Sequence, residues 1–407
     1  MSTNTLSPAT HLPAPMCLAA LFKTAFDGND LKPLRDELIA QTYPTTVEFA
    51  AALIGLSTIE QLLGDRDAGL AHQSEALQLH RLYQSSWPVS SNALRVLAFR
   101  AAGDVSTNTP LEFLLEGKDV VLYSLYVVPG LPLPEVPEHD IAIVTVGESD
   151  HDRPVMHEIA RLIRDWPCPV LNQPDRVLRL SREGMYSLLR GVPGVVMPAT
   201  VRIDRAGLEM LGRGGSPDRH FPANTTFPLI VRPVESHAGR GLEKLVDTAC
   251  VNAYLAQRPE EEFFISPYLD YRGADGLFRK YRIIWVDGHA HPHHMAIADQ
   301  WKVWYYNAGM AQSPAKRAEE EHFMSCFDED FATRHAASLA ELARRFDLEY
   351  VGIDCAELPD GRLLVFEGDI SLVVHDMDPP ALYPYKSAPT QALFAAFYRM
   401  LKQRGVQ

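Results

Sequence analysis

Apolar and polar positions follow one another along this chain in three successive patterns. From Leu18 to about Tyr83 the apolar residues recur every three or four positions, and the stretch TTVEFAAALIGLSTIEQLLGDRDAGLAHQSEALQLHRLY breaks that rhythm once, at Gly64-Asp65. The break predicts two antiparallel helices joined by a tight turn. Around residues 90–92 the period shortens to compact apolar runs, ALRVLAF, DVVLYSLYVV, AIVTV and CPVLN, which alternate with helical segments such as VMHEIARLIRDW. Strand and helix in alternation predict a parallel α/β layer, closing near Asn172-Gln173-Pro174. After it, SREGMYSLLRGVPGVVMPAT reads as a helix and then a strand, and from about Ala223 onward strands, hairpins and two helices (FATRHAASLAELARRF and PTQALFAAFYRML) are mixed. Asp287-Gly288 and Asp360-Gly361 each sit between strand-like runs and predict hairpin turns. The expected class is therefore α/β followed by α+β, with a helical region over 1–88, an α/β domain over 89–178 and a third domain over 179–407.

A length of 407 residues suits roughly two to four domains. With 46% hydrophobic and 22% charged residues, and no apolar run of the roughly 20 residues that a membrane helix needs, the chain is expected to be soluble, with no membrane partner. The first 15 or so residues, rich in Ser, Thr and Pro, are expected to be loosely ordered, and the start lacks the basic segment of a signal peptide, so a cytoplasmic location is expected. A formal charge of −14 speaks against a nucleic-acid partner while leaving room for small anions held by local arginines. The five cysteines, Cys17, Cys168, Cys250, Cys326 and Cys355, form no CxxC pair and read as reduced thiols.

The segment YVGIDCAELPDGRLLVFEGDI holds the densest chemistry. With Asp360-Gly361 at the centre of a two-residue turn, Pro359 faces Arg362, and counting outward sets Asp354 across from Glu367, with Asp369 on the same face. Three carboxylates on one face of an apolar hairpin either meet solvent or need a cation, and an all-oxygen set suits Mg²⁺ or Mn²⁺ with nucleotide phosphates. Upstream, FPLIVRPVESHAGRGLEKL ends a strand at Arg232 and continues into a loop with Ser236, Gly239 and Gly241, a pattern for gripping phosphate. In LFRKYRIIWVDGHAHPHHMAI, counting from Asp287-Gly288 sets Arg282 opposite His293 and Ile284 opposite His291. Arg279 and Lys280 are candidate contacts to a carboxylate substrate, and the histidines, His294 among them, are either structural or substrate-orienting; their split across two faces argues against zinc. Trp301, Trp304, Tyr305 and Tyr306 either line an acceptor pocket or pack in a core.

The order of these features resembles the ATP-grasp superfamily, in its glutathione-synthetase and ribosomal-protein glutamate-ligase branch, over about 92–395. PVLNQPDRVLRLSREGMYSLL looks like the passage from a pre-grasp α/β domain to the first phosphate-binding cation. By that resemblance Arg182 and Arg232 stand where the family has lysines, and Ser266, Tyr268 and Leu269 in EEFFISPYLDY form the adenine hinge. A lid subdomain would span about 195–265, and Arg282 would serve the transferred phosphoryl group. Asp354, Glu367 and Asp369 match the metal-binding acids, Asp369 replacing an asparagine, while His375 and Asp376 fall in the acceptor loop. Ala68, Ala71 and Ala76 in the second helix resemble a tetratricopeptide unit. The resemblance implies a homodimeric ATP-dependent carboxylate-amine ligase working through an acyl phosphate, with ATP and two Mg²⁺ ions and small-molecule or peptide substrates. A phosphotransferase on the same scaffold, or a nucleotide-binding scaffold protein without turnover, is the alternative.

Overall fold

The computed structural model of the chain describes residues 12–405 except 86, 88, 220, 222–224, 235, 237 and 238. Most of the N-terminal segment expected to be loosely ordered, and the boundary near Ala223, therefore lie outside the described residues. Within them the chain is a mixed α/β protein built on three sheets. The first runs in the spatial order Leu82–Gln84, Val120–Tyr126, Leu94–Arg100, Ile141–Val144, Val170–Leu171. All its pairings are parallel except that of the short edge strand Leu82–Gln84, as the alternation of strand and helix required. The second sheet, Val201–Asp204, Glu262–Pro267, Leu229–Pro233 and Glu243–Leu245, is antiparallel throughout. The third orders His289–Ala298, Phe278–Val286, Tyr350–Glu357, Leu363–Asp369 and Val195–Val196, and carries both Asp-Gly hairpins.

The N-terminal hairpin forms as Thr46–Leu62 and Arg66–Leu79, each capped by its preceding Thr45 or Asp65 side chain. Of the three alanines singled out there, only Ala76 is buried, and the close crossing is set by Gly69, where a Cβ would lie 2.6 Å from Gln61 Cγ and 2.7 Å from the Ser57 carbonyl. Two further short helices, Leu18–Phe26 and Lys32–Ala40, precede it. The stretch 179–407 also holds helices the periodicity did not predict, Thr248–Ala256 and Pro314–Ser325. The second of these begins with a Ser313 cap and Pro314 at its first position, a signal present in the sequence.

What positions the site is the way the cores are divided. The long C-terminal helix, Ser387–Gly405, buries Leu393, Phe394, Phe397, Met400 and Leu401 between the first sheet (Val96, Ala98, Ile141) and the third (Ile284, Val286, Tyr350). Asn172 adds a polar weld: fully buried, it exchanges two 3.0 Å hydrogen bonds with the Tyr350 backbone, so the end of the first sheet is stitched to the third. The four-stranded sheet, by contrast, has its own core of Ile203, Leu208, Leu211, Leu229, Val231, Val251, Phe263 and Ile265. First and third sheets thus form one body, and the second sheet a separately cored layer facing it.

Phe397 stacks edge-on against Tyr350 at 5.2 Å between centroids and is fully buried. Phe397→Ala is expected to lower unfolding free energy by about 3–5 kcal/mol in urea titration, and a loss below about 1 kcal/mol would show that the helix does not cement the two sheets.

Candidate functional site

Between the four-stranded sheet and the third sheet lies a cleft of about 830 Å³. Its floor is set by the hairpin Tyr350–Glu357 and Leu363–Asp369. Asp354 does pair with Glu367, and Gly352 with Asp369, so the acids share a face as expected. The turn, however, differs: the Leu358 N–H donates to the Arg362 carbonyl at 2.8 Å, giving a three-residue loop with Gly361 at φ +83°. That displaces the register by one position, and a bulge at Phe366 restores it before Glu367. In the neighbouring hairpin Asp287 and Gly288 take φ 49° and 80°, the values a tight two-residue turn requires, and Ile284 pairs with His291. Past that point His293 is bulged out, so Arg282 faces His294 and not His293.

Asp354 is 1% exposed and receives three hydrogen bonds from cations. Arg282 Nε and Nη2 grip its two oxygens at 2.8 and 3.0 Å, and Lys280 Nζ donates at 2.8 Å. Although burial alone would raise its pKa, these two cations hold it well below the usual carboxylate range. Arg282 Nη1 continues to the Val373 carbonyl at 3.0 Å. Glu367 accepts from Arg182 Nη2 at 3.0 Å; burial pushes its pKa up, but Arg182, Arg232 and Lys280 together leave it below the ordinary value. Asp369 bends back onto Ser371, accepting from its N–H at 3.0 Å and its hydroxyl at 2.9 Å, while burial leaves its pKa raised.

The three acids expected as a metal cradle are each engaged within the protein. Asp354, Glu367 and Asp369 lie on one face, yet each is taken up by a different partner, and among the described residues no group of three or more His, Cys, Asp or Glu side chains is placed to hold a metal ion. The cleft's own arginines and lysine supply the countercharge to Asp354 and Glu367, while Asp369 has the Ser371 N–H and hydroxyl.

The roof of the cleft comes from the four-stranded sheet. Arg232 lines it, donating from Nε to Ser236 Oγ at 3.1 Å and from Nη2 to the Ser236 carbonyl; residues 235, 237 and 238 of that loop lie outside the described ones. Burial, reinforced by Arg182 nearby, pushes the Arg232 pKa down to about 10, so it stays charged at neutral pH. Gly239 lines the cleft at φ +69°. Gly241 does not line it: a Cβ there would meet Pro233 Cδ at 2.6 Å, and its carbonyl accepts from Tyr254, which makes it a packing glycine. Ser266, Tyr268 and Leu269 line the far end, where Lys244 Nζ stands 4.2 Å from the Tyr268 ring centre. Trp301 and Trp304 also line the cleft, whereas the Tyr305 hydroxyl is drawn away to buried Glu320 at 3.0 Å.

Several expected substrate contacts lie elsewhere. Arg279 is spent on Asp275 at 2.7 Å and on Glu319 at 3.0 Å, pinning a loop to the helix Pro314–Ser325. His293 is buried against His294 and His375, and burial drives the pKa of His293 and His294 well below the ordinary value. His375 Nδ1 accepts from the Met377 N–H at 3.2 Å, and Asp376 accepts from the Ser387 and Gln391 side chains of the C-terminal helix. None of these lines the cleft.

What sequence reasoning missed is the loop after Ile141–Val144, which brings Glu148, Asp150 and Arg153 to the cleft wall. Arg153 Nη2 donates to Glu148 at 3.0 Å and to Asp150 at 3.0 Å, and Arg202 of the roof also donates to Asp150. The signal was there: the run GESDHDR follows the C-terminal end of a parallel strand, where open α/β sheets place their ligands.

Asp354→Asn removes the anion between Lys280 and Arg282 and is expected to destabilise the fold by about 3–5 kcal/mol. Because the folded pKa is depressed, the carboxylate's contribution is present above the unfolded value near 3.9 and fades as pH falls below it. The melting-temperature gap between wild type and variant should therefore hold from about pH 8 to 5 and shrink below about pH 4; a gap that persists in acid would place the effect on packing.

No family model and no curated protein matches the chain. Among solved structures it is similar to a RimK domain ATP-grasp protein from Sphaerobacter thermophilus, at 14% identity over 77% of this chain and 100% of that one, with a TM-score of 0.42. It is also similar to D-alanine–D-alanine ligase from Bacillus anthracis complexed with ATP, at 14% identity over 77% of this chain and 97% of that one (TM-score 0.44). A third is the VanG D-Ala:D-Ser ligase from Enterococcus faecalis, at 11% identity over 76% and 100% (TM-score 0.44).

Proposed function

We propose that the protein is an ATP-dependent ligase of ATP-grasp architecture, joining a carboxylate to an amine through an acyl phosphate and releasing ADP and phosphate. One observation carries this: Arg182, Arg232, Lys280 and Arg282 line a single cleft between two separately cored layers. Four cations facing one enclosed space suit a polyanion such as a triphosphate, and a layer with its own core suits a lid over it. In this reading residues 89–178 form the pre-grasp domain, 179–407 the grasp, and about 195–265 the lid.

The base would lie against Ser266, Tyr268 and Leu269, with the phosphates directed to Arg182 and Arg232. A substrate carboxylate attacks the terminal phosphorus, and the charge that grows on the transferred group is met by Arg232 and Arg282 in a space from which water is excluded. Lys280 commits one of its three N–H groups to Asp354 and has others to direct at the substrate. An amine then displaces phosphate. Because Arg182 is already paired with Glu367, phosphate binds there by exchange with a carboxylate. No step is assigned to a metal ion.

ATP binding by calorimetry tests the reading. Arg182→Met and Arg232→Met should each weaken it by about 10–100-fold, the worth of a charged hydrogen bond. Wild-type protein that binds no ATP would sink the proposal, and a stable phosphorylated product in place of an amide would turn it into a phosphotransferase. Glu367→Gln supplies a test of opposite sign. If Glu367 competes with phosphate for Arg182, the variant binds ATP several-fold more tightly, at about 1 kcal/mol; weaker binding would return Glu367 to the role of a cation ligand.

A further inference from the structure

We propose that Glu148 is the group that orients the incoming amine and takes its proton, which deepens the ligase reading above and rests on it. The loop bearing Glu148 is pressed against the end of the acid hairpin. At Gly147 a Cβ would stand 2.8 Å from Ser371 Oγ and 3.3 Å from Asp369 Oδ1, so a side chain there would have to push the Ser371 hydroxyl aside. This close approach sets Glu148 in the cleft wall, at the end that holds Asp369 and the Arg182–Glu367 pair. The Glu148 side chain is 13% exposed, and its one hydrogen-bond partner among the described residues is Arg153, on one oxygen.

Asp354 is doubly clamped by Lys280 and Arg282, Asp369 is folded onto Ser371, Asp150 is held by Arg153 and Arg202, and Glu183 is exposed; Glu367 and Glu148 each keep an oxygen to offer a donor, and of the two only Glu148 lies off the Arg182 to which the phosphates are directed. Burial is the chief cause that lifts the Glu148 pKa to about 7; Asp150 of its own loop and Asp369 of the facing strand add to the rise, while Arg153 and Arg182 oppose it. That value lies close to the roughly 8 of an α-amine, so proton transfer between them is nearly level in free energy.

The step balances as follows. The bound ammonium gives one proton to the Glu148 carboxylate, and the freed lone pair attacks the acyl carbon. The C–N bond forms, and the C–O bond to phosphorus leaves with its electron pair on phosphate. The nitrogen's second surplus proton goes to that departing phosphate, leaving a neutral amide, hydrogen phosphate and a protonated Glu148.

Hydroxylamine separates this role from a structural one, because it is largely unprotonated at neutral pH and needs no base to attack an acyl phosphate. Full-length protein is incubated with ATP and an equimolar mixture of the protein-building amino acids as carboxylates and amines, with and without hydroxylamine, and products are read by mass spectrometry. For Glu148→Gln, ATP affinity and hydroxamate yield should stay within about twofold of wild type, while amide formation falls about 100-fold or more. The wild-type amide rate should climb as pH rises through about 7, where Glu148 becomes the carboxylate, and the Gln variant should lack that limb. Glu148→Asp should recover part of the loss. An amide rate untouched by the Gln change, or hydroxamate and amide falling together, overturns the role of Glu148 alone. Wild-type protein yielding neither product overturns the ligase reading, and this proposal with it.

Discussion

A single buried carboxylate, Asp354, constrains the centre of this molecule. At 1% exposure it has no water to solvate it, so the charge persists only because Arg282 grips both oxygens and Lys280 adds a third contact. A bare charge of that kind is among the most expensive groups to bury, and its partners are therefore held in place as firmly as it is. Both cations come from the adjacent strand Phe278–Val286, with Arg282 directly across from Asp354 in the ladder. The remaining reach of Arg282 fixes the Val373 carbonyl, and with it the stretch in which Asp376 accepts from Ser387 of the C-terminal helix. The helix in turn joins the first and third sheets. One charge balance thus runs from the cleft floor to the element that assembles the body.

Much of the charge in the cleft is already paired before any ligand arrives. Asp354 has Lys280 and Arg282, Glu367 has Arg182, and Asp150 has Arg153 and Arg202. A polyanion is then accommodated by trading one set of anionic partners for another, which preserves neutrality in a low-dielectric space. A divalent ion would work differently, by drawing the carboxylates together, and the described side chains are spread among separate partners. The arginines at 182 and 232 suit the first mode, since a guanidinium serves two acceptors in a fixed fork, whereas an ammonium acts as a point charge.

How far the sequence discloses such a site depends on which interactions are local. The facing of Asp354 and Glu367 follows from hairpin counting, although two departures cancel in reaching it: the loop is one residue longer than an Asp-Gly turn, and the bulge at Phe366 takes the residue back. Phe366 packs on Tyr271, 5.1 Å away between ring centres, a contact from a distant segment that no count along the strand contains. The bulge at His293 has the same character and moves Arg282 one place off the expected pairing. The parallel layer and the N-terminal hairpin were legible because period and caps are written within the segments themselves. Arg279 and Gly241 were misassigned because a charged or glycine residue near a site looks the same in sequence whether it faces a ligand, a neighbouring carboxylate or a proline ring. Glu148 is brought to the cleft by its place beyond a strand end of the first sheet and by the packing of Gly147 on Ser371, a contact between segments more than two hundred residues apart.

The segment following Ala298 shows why the N-terminal helices belong to the same physical unit as the cleft. At one end Trp301 lies edge-on to Tyr268, 5.9 Å between centroids, and its carbonyl accepts from Tyr271. In the middle Lys302 reaches across to the Leu242 carbonyl of the four-stranded layer at 2.8 Å. Tyr305 then anchors inward on Glu320, and Lys386 bridges Glu320 at 3.2 Å and Asp378 at 2.8 Å. Tyr306 finally meets Phe26 of the helix Leu18–Phe26, 6.5 Å between centroids, and Phe26 also touches the His375 ring at 5.7 Å. The middle contact joins layers with separate cores through that hydrogen bond and a looser Lys302–Glu243 ion pair at 3.8 Å, while the inner anchors are buried and multiply bonded. The strap is therefore anchored more firmly in the body and against the helix Leu18–Phe26 than in the four-stranded layer.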